Sequence, residues 1–462
     1  MPKPKVYLVG AGPGDAELIT LKGFRLIAAA DVILYDRLVP RELLKLAKPQ
    51  AEIISVAKSA DRHEIPQEKI NSLIIEKAKQ NKIVLRLKGG DPLLFGRGAE
   101  ESMACVEAGI DFEIVPGVTS ALAAPAYAGI PPTHRDFTSS LAIVTGHRQL
   151  DKPLEIPKAG TIIFLMGVAN LQQIVSSLIN AGFPPSSKIA AIENGACYNQ
   201  KTVIATLDNI VSQVQQQNLK PPVVFVVGKV VDLHEKLNWF DKKPNVLVIG
   251  LHPEKYSSLG NIVHRQIIDC VPIDDYSTID KTLKRLDNFD WLVFTSANGI
   301  KFFFQRLNAL GLDARALAGL KIAVMGKTSA ESLESFGVLA DLVPETESSA
   351  GLLEKFKEID VKNKKFLLPQ SRLASAELPD GLADMGARVE QLTIYDTIEI
   401  DPGPIDFAHI DRILFTSGST IRAFVKRYGR PAPHIECLCL GPPSQAEAKK
   451  LGIDAIIFNK ND

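Results

Sequence analysis

The sequence has few cysteines, few histidines and no excess of either charge. Its 462 residues include eight histidines and five cysteines, and neither type clusters at the spacings of a metal site or a disulfide framework. Lys plus Arg and Asp plus Glu are equal at 53 each, so no overall field attracts nucleic acid or an anionic membrane surface. We expect reduced thiols in a cytoplasmic protein, no bound metal and no nucleic-acid partner. Cys437 and Cys439 alternate along an apolar stretch, which favours core packing over redox chemistry.

Long hydrophobic runs are absent as well. The longest, such as residues 223–227, are far shorter than the ~20 residues that cross a bilayer. The N-terminal segment enters a strand directly and lacks the apolar region and cleavage site of a signal peptide. We expect a protein that is neither exported nor membrane-spanning.

Short apolar segments separated by amphipathic ones are plentiful. Such strands alternating with helical periods indicate a largely parallel sheet covered on both faces, which is the α/β class. The chain exceeds the roughly 250–300 residues of a single core, so two or three domains are expected. A charged, proline-containing link at 241–244 predicts a domain of residues 1–243 and one of residues 244–462. The strands predicted in the first domain span 6–10, 32–35, 53–56, 83–87, 112–115, 141–145, 162–166, 188–192 and 223–227.

The second domain contains a weak internal repeat. Residues 294–297, Phe-Thr-Ser-Ala, return as Phe-Thr-Ser-Gly at 415–418, and the glycine segment 324–330 returns at 439–445. Each copy follows an apolar strand and precedes a helical segment. Two similar lobes are predicted, and we expect a ligand cleft between them, because domain interfaces commonly hold pockets.

A glycine-rich turn, Gly-Ala-Gly-Pro-Gly-Asp at 10–15, follows the first predicted strand. It differs from the dinucleotide-binding fingerprint, because Asp15 stands where that motif needs a small residue and Pro13 removes a backbone donor. An NAD site and a purely structural tight turn stay open as alternatives.

The turn is the first of an ordered series of motifs that resembles the tetrapyrrole methylases. Within that family the series is most similar to uroporphyrinogen-III C-methyltransferases, and it spans about residues 4–240. The resemblance implies a two-lobed fold with a break near 117–140, S-adenosyl-L-methionine as cofactor, and a homodimer formed through this half. The later motifs are ADVILYDRLV at 30–39, RLKGGDP at 86–92, FGRG at 95–98, VPGVTSA at 115–121, GIPPTHR at 129–135 and VTGH at 144–147.

The resemblance assigns the cofactor contacts to turns. The sulfonium is a cation without strong donors, so the backbone of Gly- and Pro-rich turns can approach it closely. A helix N-cap is the alternative for Asp91, and core packing is the alternative for Met166. The implied contacts are Pro13, Gly89, Gly90, Asp91, Leu94, Thr119, Ser120, Met166 and Gly195.

The resemblance also implies acid–base residues and basic substrate contacts. It assigns Asp36 as proton acceptor and Lys58 as proton donor, with a salt bridge or a substrate contact as the alternative for each. Uroporphyrinogen III carries many carboxylates, which the planar fork of arginine binds well, whereas most isolated basic residues are only solvated surface. The expected contacts are Arg37, Arg62, Arg97 and Arg135, and Arg86, Lys88 and Arg148 lie beside the same motifs.

Residues 246–460 resemble uroporphyrinogen-III synthases, whose motifs are less specific. The resemblance implies closure of linear hydroxymethylbilane, with Tyr395 as an acid near the departing hydroxyl; packing as a strand residue is the alternative. Gln370 departs from the family, which usually carries arginine there. Serines in the glycine turns would bind substrate carboxylates or only cap helices, namely Ser296, Ser329, Ser417 and Ser444.

The sequence therefore predicts an enzyme with two consecutive activities on small-molecule tetrapyrroles. The second half would make uroporphyrinogen III, and the first would methylate it at C2 and C7 to give precorrin-2 for sirohaem or cobalamin. Two alternatives stay open. The second half could be a non-catalytic tetrapyrrole-binding module, or the first could methylate a later corrinoid or an unrelated acceptor.

Overall fold

A computed structural model describes residues 5–56, 65–80, 82–147, 154–403 and 405–458. The chain divides into two units, Met1–Asn245 with Leu259–Asn261, and Val246–Ser258 with Ile262–Asp462. Within the described ranges, no helix combines the length and the apolar character needed to span a membrane.

The first unit begins with a five-stranded sheet. Its strands are β1 (Val6–Gly10), β2 (Val32–Tyr35), β3 (Glu52–Ser55), β4 (Val84–Lys88) and β5 (Phe112–Val115). All pairings are parallel, in the order β3-β2-β4-β1-β5. Along β1, Val6 and Leu8 belong to one apolar cluster and Tyr7 and Val9 to another, so both faces of the sheet are covered. The accompanying helices are α1 (Leu21–Ala29), α2 (Arg41–Leu44), α3 (Gln67–Lys79), α4 (Gly98–Glu107) and α5 (Ser120–Tyr127).

A second sheet completes this unit and corrects the expectation of largely parallel pairing. Its strands are β6 (Leu141–Thr145), β7 (Thr161–Leu165), β8 (Lys188–Glu193), β9 (Lys201–Thr206) and β10 (Val223–Val227). In the order β6-β7-β10-β8-β9, the pair of β6 and β7 is parallel and the other three pairs are antiparallel. Strand β9 is absent from the predicted set. The connection 194–200 is too short for the crossover that a parallel β8–β9 pair would need. The helices are α6 (Leu171–Asn180), α7 (Ile210–Gln216) and α8 (His234–Leu237).

The second unit contains two sheets that the chain builds in an interrupted order. The first holds β11 (Asn245–Ile249), β12 (Asn261–His264), β18 (Arg412–Phe415), β19 (Glu436–Cys439) and β20 (Ala455–Ile457), in the order β12-β11-β18-β19-β20. The second holds β13 (Ile268–Pro272), β14 (Trp291–Phe294), β15 (Lys321–Val324), β16 (Lys365–Ser371) and β17 (Arg388–Glu399), in the order β13-β17-β16-β14-β15. The helices are α9 (Ser277–Leu283), α10 (Ala297–Ala309), α11 (Lys327–Glu334), α12 (Ser349–Lys357), α13 (Glu377–Asp384), α14 (Gly418–Tyr428) and α15 (Pro442–Lys450). The chain thus leaves the first lobe after β12 and returns to it at β18.

The repeated sequence segments occupy matching turns in these two lobes. Ser296 caps α10 after β14, and Ser417 caps α14 after β18; each hydroxyl accepts a backbone N–H of its own helix. Gly326 and Gly441 also occupy matching positions, as the N-cap residues of α11 and α15. Cys437 and Cys439 are buried in β19, as core packing predicts.

Candidate active sites

Three glycine turns of the first unit meet at the carboxyl ends of β1, β4 and β5. The N–H of Gly90 donates to the carbonyl of Gly12 over 2.7 Å, and the N–H of Gly12 returns a hydrogen bond of 3.3 Å to Gly90. A Cβ on Gly117 would overlap the carbonyl oxygen of Gly90 and lie 2.6 Å from Cα of Gly10. Real Cβ atoms do not approach backbone that closely, so only glycine fits at position 117, where the three turns meet.

Asp91 ties these turns together. Its Oδ1 accepts the N–H groups of Leu93 (2.8 Å) and Leu94 (3.1 Å), and its Oδ2 accepts the N–H of Gly117 (3.1 Å). Because α4 begins only at Gly98, Asp91 is not the cap of that helix. Oδ1 thus accepts two backbone donors and Oδ2 accepts one, so Oδ2 keeps a lone pair for a further contact.

Loops of the second lobe reach the same turns. Gly195 approaches α5 so closely that a Cβ there would overlap the side chain of Ala124. On the other side, a Cβ on Gly14 would overlap Sγ of Cys197, and burial raises the pKa of that thiol to about 11. Thr119 caps α5 immediately before Ser120, and Pro13 is half-buried in the first turn. The structure therefore brings Pro13, the turn at 89–91, Thr119, Ser120 and Gly195 into one region of this unit.

Leu94 and Met166 occupy different environments. Leu94 packs against the apolar cluster that α5 forms with the second sheet. Met166 follows β7 with a φ of 57° and is 52% exposed, so it is not a core residue. A left-handed backbone at a residue other than glycine costs about 1–2 kcal/mol and is typical of functional sites.

Replacing Met166 by glycine should separate stability from cofactor affinity. We expect Met166→Gly to raise the free energy of unfolding by about 1 kcal/mol, because glycine adopts this backbone freely. The Kd for S-adenosylhomocysteine, measured by calorimetry, should rise about fivefold, since a small apolar contact of order 1 kcal/mol is lost. Asn218→Gly is the matched control, because Asn218 also has a left-handed backbone, with φ of 52°, and lies at the end of α7. Unchanged affinity in Met166→Gly would remove Met166 from the cofactor site.

Asp36 lies at the carboxyl end of β2 above a buried ionic cluster. Its Oδ1 accepts a hydrogen bond of 2.5 Å from Nη2 of Arg86, and its Oδ2 lies 3.8 Å from Nζ of Lys88. Arg86 and Lys88 also donate to Oε1 of Glu101, over 2.9 and 3.0 Å. Burial lowers the pKa of Lys88, with a further decrease from Arg86, although Glu101 and Asp36 oppose it. The Asp36 side chain is 33% exposed, so it connects this cluster to the surface.

The expected substrate cations are distributed unevenly. Arg37 and Arg135 are exposed. Arg97 is exposed too, and its fork binds both carboxylate oxygens of Glu100. Arg86 and Lys88 are only 2% and 3% exposed and belong to the ionic cluster, so they are not surface contacts for a polycarboxylate. Lys58, Arg62 and Arg148 lie outside the described residues.

The second unit contains a cavity of about 520 Å³ between its two lobes. Tyr395 lines this cavity and is 7% exposed. Its ring is stacked on Phe302, and its Oη lies 3.1 Å from Oγ of Ser296. Burial raises the pKa of Tyr395, Cys270 raises it further, and hydrogen bonds from Ser296 and Ser371 oppose the shift. The hydroxyl is therefore a neutral proton donor near pH 7.

The predicted serines divide into two pairs. Ser417 lines the cavity, and Ser296 contacts the lining residue Tyr395. Ser329 and Ser444 are 7% and 8% exposed, lie inside α11 and α15, and are not among the residues that line this cavity. Their role as substrate contacts stays a prediction. Gln370 is also buried, and its Nε2 donates to Oε1 of Gln391 over 2.8 Å.

Comparison with known proteins accounts for both halves of the chain. Residues 5–211 match the model of the tetrapyrrole (corrin/porphyrin) methylases, and residues 257–461 match that of the uroporphyrinogen-III synthase HemD. A porphyrin biosynthesis protein HemD of Ruminiclostridium josui is 38% identical over 480 residues, covering 99% of this chain and 95% of that protein. The chain belongs to the family of fused tetrapyrrole methylases and uroporphyrinogen-III synthases.

Further relatives are uroporphyrinogen-III C-methyltransferases. A uroporphyrinogen-III C-methyltransferase of Bacillus subtilis is 38% identical and covers 74% of each chain. One from Priestia megaterium is 50% identical over 49% of this chain and 98% of its own length. A solved structure of the Thermus thermophilus uroporphyrin-III C-methyltransferase complexed with S-adenyl homocysteine is 36% identical, covers 49% of this chain and 93% of that one, and has a TM-score of 0.43.

Sequence reasoning missed two features of the methylase unit. Glu101 was not singled out, although it is the buried partner of both Arg86 and Lys88. Tyr127 was also missed; its hydroxyl donates to Asp15 over 2.7 Å and so fixes the first glycine turn to α5. In the sequence, Glu101 is only an acidic residue in the first turn of an amphipathic helix. Such residues are ordinarily explained by their favourable interaction with the helix dipole.

Proposed function

We propose that the synthase unit closes hydroxymethylbilane to uroporphyrinogen III and that the methylase unit transfers methyl groups to C2 and C7 of this product, giving precorrin-2. The methylase unit uses S-adenosyl-L-methionine. The observation that carries the proposal for this unit is the backbone pairing of the first glycine turn with the Gly89-Gly90 turn. It brings two stretches of main chain together at the carboxyl end of β4, whose neighbour β2 leads into Asp36, and this suits a sulfonium ligand beside a proton acceptor.

The bound cofactor would supply an electrophilic methyl group, and the residues of this chain would position both reactants. Pro13, Gly89, Gly90, Asp91, Leu94, Thr119, Ser120, Met166 and Gly195 would hold the cofactor. Positioning supplies most of the acceleration in such a displacement. Asp36 would accept the proton that leaves the methylated ring, with Lys58 as the proton donor. The exposed cations Arg37, Arg97 and Arg135, with Arg62, would bind substrate carboxylates.

In the synthase unit, Tyr395 would protonate the departing hydroxyl of hydroxymethylbilane. Tyr395 lines the cavity, and burial raises its pKa, so its hydroxyl carries the proton near pH 7. Ser296 holds the hydroxyl in place, and Ser417 would offer a contact to a substrate carboxylate. Backbone N–H groups at the start of α10 and α14 favour anions at the same position.

Two assays on the full-length protein test the proposal. With hydroxymethylbilane alone, the product should be the type III isomer; a type I product only would leave the second half as a tetrapyrrole-binding module. With S-adenosylmethionine added, mass spectrometry should find two added methyl groups on uroporphyrinogen III. Methylation of only a later corrinoid would favour the alternative acceptor.

We further propose that the protein is a cytoplasmic homodimer formed through the methylase unit. Large apolar side chains are exposed on α4 and near the start of α5, namely Met103 and Val106 (57% each), Leu122 (43%) and Val118 (36%). Sedimentation velocity of the wild type and of Met103→Glu would test this, and a monomeric wild type would contradict it.

A further inference from the structure

Glu101 lies beneath the proposed acid–base residue of the methylase unit. It belongs to the first turn of α4 and is 1% exposed. Its Oε1 accepts hydrogen bonds from Nε of Arg86, Nζ of Lys88 and Nε2 of Gln67, over 2.9, 3.0 and 3.1 Å. One carboxylate oxygen therefore joins two neighbouring positions on β4 to helix α3.

The same two cations hold Asp36. Arg86 uses Nε for Glu101 and Nη2 for Asp36, so its planar guanidinium is fixed between the two carboxylates. Lys88 lies 3.0 Å from Glu101 and 3.8 Å from Asp36. Asp36 has no other ion pair within the described ranges, so its orientation depends on cations that Glu101 itself orients.

The cluster is costly to bury. Two cations and Glu101 are nearly removed from solvent, and the second oxygen of Glu101 has no hydrogen-bond partner among the described residues. A buried ionic group with an unsatisfied oxygen weakens a fold relative to an apolar core of the same size. An arrangement of this kind is expected where orientation of a reacting group matters more than stability.

We propose that Glu101 is a positioning residue for methyl transfer, acting through Arg86 and Lys88 on the carboxylate of Asp36. The inference rests on the proposed role of Asp36 as proton acceptor. Glu101 does not touch substrate or cofactor. It fixes the guanidinium of Arg86 so that one oxygen of Asp36 is held and the exposed part of the carboxylate faces the site.

A double-mutant cycle on the full-length protein tests this coupling. We expect Glu101→Gln to lower kcat of methylation about tenfold with KM for S-adenosylmethionine changed less than twofold, because binding residues are untouched. Asp36→Asn should lower kcat about thirtyfold, a modest general-base effect. The double variant should be about as slow as Asp36→Asn alone, because the two residues act as one unit. Multiplied effects, about three hundredfold, would show that Glu101 acts independently of Asp36 and overturn the proposal.

Two further variants separate positioning from folding. Gln67→Leu removes a donor from the same oxygen of Glu101 without touching Arg86 or Asp36, so it should keep wild-type kcat. If Glu101→Gln does not fold, Lys88→Gln with Glu101→Gln removes one charge of each sign and keeps the Arg86–Asp36 contact. That variant should fold and be about tenfold slower than Lys88→Gln alone, which keeps Glu101; equal kcat values for the two would overturn the proposal. If Glu101→Gln has the wild-type kcat while Asp36→Asn is slow, the positioning role of Glu101 is refuted and the proposed function still stands. A wild type that transfers no methyl group refutes the proposed function, and the inference with it.

Discussion

Gly117→Ala should abolish methylation while leaving the synthase reaction of the same chain intact. The added Cβ would overlap the carbonyl oxygen of Gly90 and lie 2.6 Å from Cα of Gly10, and both atoms are backbone that cannot move aside like a side chain. Either β5 or the Gly89-Gly90 turn must shift, which breaks the hydrogen bond from Gly117 to Asp91. A displacement of about 1 Å in a positioning element can cost about a hundredfold in rate, and here cofactor binding itself should fail. We expect a loss of more than about a thousandfold in methyl transfer.

The fused synthase supplies an internal control for this variant. Conversion of hydroxymethylbilane by Gly117→Ala should stay within about twofold of the wild type, because the two units have separate cores. Gly109→Ala is the matched control in the methylase unit. Its Cβ meets nothing within 4 Å, so its only penalty is backbone strain at φ of 66°, of order 1–2 kcal/mol. Calorimetric binding of S-adenosylhomocysteine to Gly117→Ala with wild-type affinity would contradict the close approach of the three turns.

The turns of the proposed cofactor site could be predicted because their sequence requirements are local. Glycine and proline in 10–15 and 89–92 restrict the backbone by themselves, and each turn directly follows a fully buried strand. The direction in which strands pair in the second sheet, by contrast, does not follow from local sequence. Strand β9 reads Lys-Thr-Val-Ile-Ala-Thr and is only partly buried at the sheet edge, so hydrophobicity did not mark it.

The ionic cluster was unpredictable for a related reason. Arg86 and Lys88 alternate in β4, where the sequence beside the Gly-Gly-Asp motif favoured substrate contacts. Their partners lie far along the chain, at Asp36 on one side and Glu101 on the other. No local pattern couples a strand cation to a carboxylate in the next helix. In the synthase unit, likewise, only the three-dimensional structure shows that Ser417 lines the cavity while Ser329 and Ser444 are not among its lining residues.

Tyr395→Phe should lower synthase turnover about a hundredfold and leave methylation unchanged. The ring is stacked on Phe302 at 5.3 Å between centroids, and phenylalanine preserves that packing, so folding is retained. What is lost is only the Oη, which lies 3.1 Å from Oγ of Ser296. A positioned general acid typically contributes about 10²–10⁴-fold. The pKa of Tyr395 is raised, so its proton is present throughout the neutral range, and the wild-type rate should not fall on raising the pH until beyond the ordinary tyrosine range.

Tyr256→Phe distinguishes a proton donor from a mere lining hydroxyl. Tyr256 lines the same cavity, is equally buried at 7%, has a pKa raised by burial, and packs edge-to-face on Phe458. It therefore shares the cavity position, the burial and the raised pKa of Tyr395, but it lacks the contacts of Tyr395 with Ser296, Ser371 and Phe302. The ratio of type III product formed by the two variants measures what the contacts of Tyr395 add to a buried hydroxyl in this cavity. Equal rates for Tyr256→Phe and Tyr395→Phe would assign the effect to cavity polarity, because a single departing hydroxyl needs one donor at one place.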